Sequence, residues 1–254
     1  MKNKIFGVLI LFSLWGCSPK ESKVESQTKN NFVSENTNQP ISNPSVGVSK
    51  QPAKVVQVGP NVFLEVEGEK RIVVVSSKVV RREGLLELLL CREKTKEHES
   101  ILAAAVDARD MHQAMLTAGL KTGNPVQFLP EYKPASGIPL DIKLRFRDSS
   151  GKDQIVEARD WIKKSMTNHF LEGDWVFAGS KLVTNSNDPK AKPYFLANDG
   201  DLISISNFES SLIDVSIKVS SANSDLGYEP MTAKIPPVGT PVAVLISQPI
   251  NIKK

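Results

Sequence analysis

Three side chains that can do chemistry lie close together in the sequence: Cys91, His98 and Glu99. A cysteine becomes a strong nucleophile when a neighbouring imidazole lowers its pKa, and a third group can hold that imidazole in place. In a cysteine-dependent enzyme, Cys91 would be the nucleophile and His98 the base. Glu87 or Glu99 would orient the imidazole. This spacing therefore raises an enzymatic hypothesis.

Two other interpretations use the same residues. In a metal site, Cys91 and His98 would supply two ligands, with His112 or His169 as the third. In a structural role, Cys91 is a small buried hydrophobe, while His98 and Glu99 hydrogen-bond at the end of a hairpin. We prefer the structural role. Papain-like sites usually bring their base from a distant segment, and nothing in the sequence fixes a third metal ligand.

The segments around these residues must position them. Residues 85–91 and 98–106 are apolar runs of similar length, separated by six polar residues, which predicts an antiparallel hairpin. If the loop is centred between Lys94 and Thr95, Cys91 lies directly opposite His98. Cys91, His98 and Ser100 would then share a half-polar face, and the mostly apolar face would meet the core. A shift of one residue would exchange the two faces.

The rest of the chain predicts a strand-dominated fold. Alternating or β-branched segments cover 61–80, 140–162, 175–183, 201–208, 212–221 and 240–247, and the turn DSSGK joins the two strands of 140–162. One clear helix is predicted at about 107–119, capped by Asp107 and ended by Gly119 or Gly123. The predicted class is α+β, with an antiparallel or mixed sheet and one helix.

Two further polar residues have weaker claims to function. His112 borders the apolar stripe of the predicted helix, where a histidine usually lies at an interface. Ser180 lacks the G-x-S-x-G pattern of a nucleophile elbow and has no base placed beside it.

The N-terminus has the pattern of an export signal. Lys2 and Lys4 precede an apolar run at 5–15, which is too short to span a bilayer comfortably. The run ends in LWGC, which resembles the lipobox of bacterial lipoproteins, although Trp15 departs from the usual small residue. The resemblance implies that residues 1–16 are a signal peptide and that the thiol of Cys17 carries lipid.

The composition changes after Cys17. Residues 17–56 are rich in Ser, Asn, Lys, Glu, Gln and Pro, which predicts a disordered tether. Residues 57–254 are long enough to form a single globular domain. Ser18, directly after the lipidated cysteine, favours the outer membrane facing the periplasm, by resemblance to lipoprotein sorting signals.

Cysteine and charge counts exclude several functions. The chain has two cysteines, and lipidation of Cys17 leaves Cys91 alone, which excludes an intramolecular disulfide and a Cys-ligated cluster. No cofactor is predicted. There are 32 Lys and Arg against 28 Asp and Glu, with no long basic run, so nucleic acid is not an expected partner.

The stretch LLLCREKTKEHESILAAAVDARDMHQAMLTAGL resembles the YdjY-like domain family of bacterial envelope proteins, many of them lipoproteins. The matching features are CRE, the downstream HES, the acidic residue after the strand, and the helix that carries His112 and ends in GL. WVFAGS at 175–180 resembles a second block of the family, and GDLISISNF a third. The resemblance covers about residues 60–250 and implies no established activity. A ferredoxin-like role, described for some members, does not fit a chain with one free cysteine.

Together these features predict a membrane-tethered envelope domain that acts as a binding or interaction module and not as an enzyme. Its expected partners are the membrane, through lipid on Cys17, and an envelope protein or small-molecule ligand. The alternatives are a cysteine-dependent enzyme that uses Cys91 and His98, and a weak metal site on the same pair.

Overall fold

A computed structural model describes residues 53–184, 187–188, 190–219 and 227–249. Contacts divide the chain into two units, 1–48 and 49–254, and all described residues belong to the second. Cys17, the signal peptide and most of the predicted tether therefore lie outside the described residues. Within them, the structure is strand-dominated, with a mixed sheet and one α-helix, as predicted.

The described residues form the helix α1, Ala108–Thr117, and seventeen strands. In chain order, β1 to β17 are Lys54–Gly59, Val62–Glu67, Lys70–Val79, Leu88–Arg92, Ser100–Ala104, Thr122–Asn124, Ser136–Gly137, Pro139–Arg147, Asp153–Glu157, Ile162–Lys164, Trp175–Val176, Leu182–Val183, Tyr194–Phe195, Ile203–Ser204, Asp214–Val215, Tyr228–Pro230 and Pro241–Ser247. Short 3₁₀ turns are Glu97–Glu99, Ala158–Trp161, Leu196–Asp199 and Thr232–Lys234.

Eleven of these strands form one sheet. Its main path runs β14-β4-β5-β3-β17-β8-β11-β15, while β1 and β2 extend from β3, and β9 pairs with β8. The remaining described strands form two-stranded ribbons: β6 with β7, β10 with β16, and β12 with β13. The long strand β17 lies between β3 and β8, and Val244 and Ile246 on it are fully buried. Regular apolar alternation thus places the centre of the sheet in the core.

The hairpin predicted at 140–162 forms from β8 and β9. Leu140, Ile142 and Leu144 are buried, as their alternation predicts. In the turn, the Asp148 carboxylate accepts hydrogen bonds from the backbone N–H groups of Ser150 and Lys152, at 2.9 and 3.0 Å. An aspartate that satisfies several turn donors in this way explains why DSSGK reverses the chain.

The predicted helix also forms. Asp107 is its N-cap, and its side chain accepts a hydrogen bond from the backbone N–H of Arg109 at 2.9 Å. After Thr117 the chain reaches Gly119 at φ +87°, a left-handed conformation that favours glycine. Met111 and Met115 lie on the buried face of α1.

The predicted antiparallel hairpin of residues 85–91 and 98–106 is wrong. β4 and β5 pair in parallel, with Cys91 beside Ala103 and Leu88 beside Ser100. Parallel strands usually need a connection of a dozen or more residues, so the six-residue interval favoured a hairpin. Here the chain doubles back within residues 93–99, through Lys94 at φ +63° and the 3₁₀ turn Glu97–Glu99.

Burial explains the parallel pairing. β4 and β5 are interior strands, flanked by β14 on one side and β3 on the other, and Leu88–Cys91 and Ser100–Ala104 are all buried. A strand that is buried on both faces is apolar along its whole length and does not alternate between apolar and polar residues. Such continuous apolar runs are typical of parallel pairs. The apolar run LLLC therefore carries no information about register.

Candidate functional site

Cys91 lies in the interior and not at a cleft. Its side chain is fully buried in a cluster with Leu88 and Ala103, against which Val80 and Phe208 pack. Burial raises the pKa of the thiol to about 11, although the Ser100 hydroxyl acts in the opposite direction. At neutral pH the sulfur is therefore a protonated thiol, which is a poor nucleophile.

His98 points away from this interior. It lies in the 3₁₀ turn Glu97–Glu99 with its side chain 74% exposed, and its Nε2 atom is 3.7 Å from Oε2 of Glu99. The parallel pairing places Ala103, and not His98, beside Cys91. The structure thus places His98 next to Glu99, but the thiol of Cys91 is buried and neither side chain is paired with it. The predicted catalytic arrangement is therefore not formed.

The proposed third metal ligands are also elsewhere. His112 on α1 makes edge contacts with the rings of Phe177 and Phe195, at centroid distances of 5.2 and 5.6 Å. Burial lowers the pKa of this imidazole. His169 is exposed in a loop. Among the described residues, no three His, Cys, Asp or Glu side chains cluster closely enough to hold a metal ion.

Lys96 joins the loop after Cys91 to a polar network that sequence reasoning missed. Its ammonium lies 2.8 Å from Oδ1 of Asp201, whose side chain is 3% exposed. Burial opposes the charge on Lys96, but the hydrogen bond and charge of Asp201 outweigh burial and raise its pKa. The ammonium also lies 4.6 Å from the centre of the Phe208 ring, which packs against the Cys91 cluster. This ion pair therefore holds the 93–99 loop over the buried thiol.

The network continues to Ser180. The Ser210 hydroxyl donates to Oδ2 of Asp201, and the Ser180 hydroxyl donates to the carbonyl of Ser210 at 2.6 Å. Ser180 also accepts from the backbone N–H of Ala197 at 3.0 Å. Its backbone is at φ +58° and follows Gly179 at φ +93°, so the predicted strand 175–183 breaks into β11 and β12. The hydroxyl of Ser180 is thus used to hold loops together and is not a free nucleophile.

Asp214 is the most unusual buried group. Its carboxylate is fully buried on β15 and accepts hydrogen bonds from the backbone N–H of Val215 at 2.8 Å and from Asn207 at 3.3 Å. Burial raises its pKa to about 7. One feature of the sequence LIDVSI indicated a buried acidic group: an aspartate lies inside an apolar segment. The strand prediction did not use this feature.

A small polar cleft lies between the start of the 93–99 loop and the start of α1. It encloses about 340 Å³. Its lining residues are Pro60, Arg92, Glu93, Lys94, Ala105, Val106, Asp107 and Asp110. Arg92 donates from Nε to the carbonyl of Val106 at 3.1 Å. The cleft mixes both signs of charge and could contact a polar ligand, but it contains no nucleophile.

Exposed apolar side chains occur on two segments, the connection between β6 and β7 and the strand β12. Phe128 and Leu129 lie in the connection between β6 and β7, and Leu129 is 82% exposed. Leu182 and Val183 on β12 are also exposed. The Glu209 carboxylate links the two segments. It accepts from Lys181 Nζ at 2.7 Å, and this ion pair, together with a hydrogen bond from the backbone of Phe128, lowers the pKa of Glu209. We call Phe128, Leu129, Leu182 and Val183 the apolar patch.

Within the residues that the structure describes, these features define a mostly β domain with one α-helix and a buried thiol. The family model of the YdjY domain matches residues 64–247, and the chain therefore belongs to the YdjY domain family. No curated protein and no solved structure matches the chain. Among the described residues, no helix has the length and apolar composition needed to cross a bilayer.

Proposed function

We propose that this protein is a membrane-tethered binding module of the cell envelope. The tether would be lipid on Cys17, supported by the basic start, the apolar run and the LWGC sequence. Ser18 supports the outer membrane, with the domain facing the periplasm. Lipid on a single residue would leave the YdjY domain free to meet partners near the membrane surface.

The apolar patch is the observation that carries the binding role. Soluble domains rarely expose several large apolar side chains on adjoining segments without a use for them, because burying such surface on a partner is favourable. The patch has polar neighbours, including the Lys181–Glu209 ion pair, as the rim of a protein interface does. We infer that its partner is an envelope protein with a complementary apolar surface.

The enzymatic alternative is less well supported. Cys91 is buried with a raised pKa, and His98 lies in an exposed turn outside the Cys91 cluster. Catalysis would require a cleft beside the sulfur and a base in contact with it. A ligand-induced opening that exposes Cys91 would be needed to revive this role.

The binding role is tested by photo-crosslinking in the envelope. A photoreactive amino acid would replace Leu129, and the matched control would carry it at Ile155, an exposed apolar residue on β9. We expect discrete crosslinked products from position 129 only, which disappear when Phe128 and Leu182 are both changed to Ser. Equal crosslinking from both positions, or none from position 129, would contradict the proposal.

A further inference from the structure

Two adjacent arginines line a cavity that neither the family resemblance nor the proposed function uses. Arg81 and Arg82 follow β3 and border a space of about 630 Å³, together with Val80, Glu83, Gly84 and Val238. None of these residues belongs to the apolar patch. The cavity is open to solvent and large enough for a small molecule.

The guanidinium groups have unused hydrogen-bonding capacity. The Nε atoms of both arginines are shielded from solvent and have no hydrogen-bond partner among the described residues. A buried donor on a charged group is costly to leave unsatisfied, so each guanidinium would gain from a water or a ligand that accepts a hydrogen bond from it.

Neither arginine is neutralised by a carboxylate within the described part of the chain. Arg109, Arg145 and Arg147 each pair with an acidic residue at 3.1, 2.8 and 3.1 Å. Glu83 lines the same cavity but is exposed, and in the described structure it pairs with neither arginine. The cavity therefore carries two positive charges against one negative charge.

The local backbone fixes the two side chains differently. Arg82 donates to the carbonyl of Thr232 at 2.9 Å, and the Thr232 hydroxyl donates back to the carbonyl of Arg82 at 2.5 Å. Arg81 lies over Gly84, where an added β-carbon would fall 2.2 Å from its terminal nitrogen. Gly84, at φ +87°, thus leaves room for the guanidinium of Arg81.

We propose that this cavity binds an oxyanion, a phosphate or carboxylate group carried by a molecule with an apolar part. A guanidinium group presents a planar fork that matches such an oxyanion and binds it through charge-assisted hydrogen bonds. Val80 and the exposed Val238 would contact the apolar part. The same chemistry would fit a free anionic metabolite or the headgroup of an anionic lipid.

The test uses the full chain with Cys17→Ser, observed by NMR at the arginine Nε–H resonances. Titration with inorganic phosphate, and separately with succinate, is compared with chloride at equal ionic strength. We expect the Nε–H signals of Arg81 and Arg82 to shift with one or both oxyanions and not with chloride. R81Q should weaken binding by about tenfold or more, since it removes charge-assisted hydrogen bonds. R81K should also weaken it, because lysine lacks the planar fork.

The control is R147Q, which removes an exposed arginine that is paired with Asp153 and lies outside the cavity. It should leave the affinity unchanged. A second arm replaces the soluble anions with vesicles that contain phosphatidylglycerol or only phosphatidylcholine. If the protein binds only the vesicles with phosphatidylglycerol, and R81Q abolishes this binding, the ligand is a lipid headgroup. If the protein binds the soluble anions, the ligand is a free anion. The proposal is overturned if no arm shifts the Nε–H signals, or if R147Q weakens binding as much as R81Q.

Discussion

Cys91 is a chemically suggestive residue whose side chain packs in the interior of the domain. Its thiol is fully buried, and burial raises its pKa to about 11. We predict that the native protein with Cys17→Ser reacts only slowly with a maleimide at neutral pH and reacts quickly in denaturant. Mass spectrometry over time would measure both rates. Fast labelling of the folded protein, with a rate that titrates below the free-thiol value of about 8.5, would revive the enzymatic role.

Asp214 should make stability depend on pH. Its folded-state pKa of about 7 lies above the ordinary value of 3.8, because burial disfavours the charge. Between these values the folded state holds a proton that the unfolded state has released. The free energy of unfolding should therefore fall as pH rises from about 4 to 7, by up to roughly 1.4 kcal/mol per pH unit from this group.

The variant Asp214→Asn tests whether Asp214 causes this pH dependence of stability. It keeps the shape and the acceptor oxygen but cannot titrate, so its unfolding free energy should change less between pH 4 and 7 than that of the native chain. Urea unfolding at several pH values would measure the slopes. Asp148→Asn is the control, because hydrogen bonds from Ser150 and Gln154 lower the pKa of Asp148 to about 2, so its contribution to stability changes below about pH 4 and not between pH 4 and 7. Equal slopes for Asp214→Asn and the native chain would contradict the assignment.

At the scale of elements, the 93–99 connection joins the parallel strands β4 and β5. The Lys96–Asp201 ion pair anchors this connection, and Asp201 is almost completely buried. We predict that Lys96→Met lowers the free energy of unfolding by about 3 kcal/mol, because it leaves a buried carboxylate without its cation. The control variant is Lys181→Met, which removes the ion pair with Glu209, in which both side chains are 43% exposed. That change should cost less than about 1 kcal/mol. Similar costs in denaturant unfolding would show that Lys96 does not anchor the loop.

The elements differ in how far the sequence predicted them. β8 and α1 were predictable because their apolar residues repeat with the period of one element, and Asp107 and Asp148 mark the cap of α1 and the turn from β8 to β9. The parallel β4–β5 pair was not, since LLLC has no period and the short connection favoured a hairpin.

The polar networks and the arginine cavity were also missed. The partners of Lys96 and Arg82 lie far along the chain, at Asp201 and Thr232, so no local pattern joins them. In the described part of segments 201–208 and 212–219, the strands are only the short β14 and β15. Buried serine, asparagine and aspartate side chains take over hydrogen bonds that a longer ladder would supply.

At the scale of the whole molecule, a YdjY domain would be joined to a membrane through Cys17, which lies outside the described residues. The domain contains both surfaces proposed for binding, the apolar patch and the arginine cavity. A lipid anchor would place both near the membrane surface without inserting the fold. The two cysteines of the chain provide a matched pair of substitutions, because only Cys17 is proposed to carry lipid.

The most direct test is therefore membrane fractionation of Cys17→Ser and Cys91→Ala in a bacterial host fed a clickable fatty acid. We predict that Cys91→Ala stays in the salt-washed membrane pellet and carries the label. Cys17→Ser should lose the label and appear in the supernatant with the unfolding transition of an intact domain. If Cys17→Ser remains fully in the washed membrane pellet, the tethered-module account is contradicted.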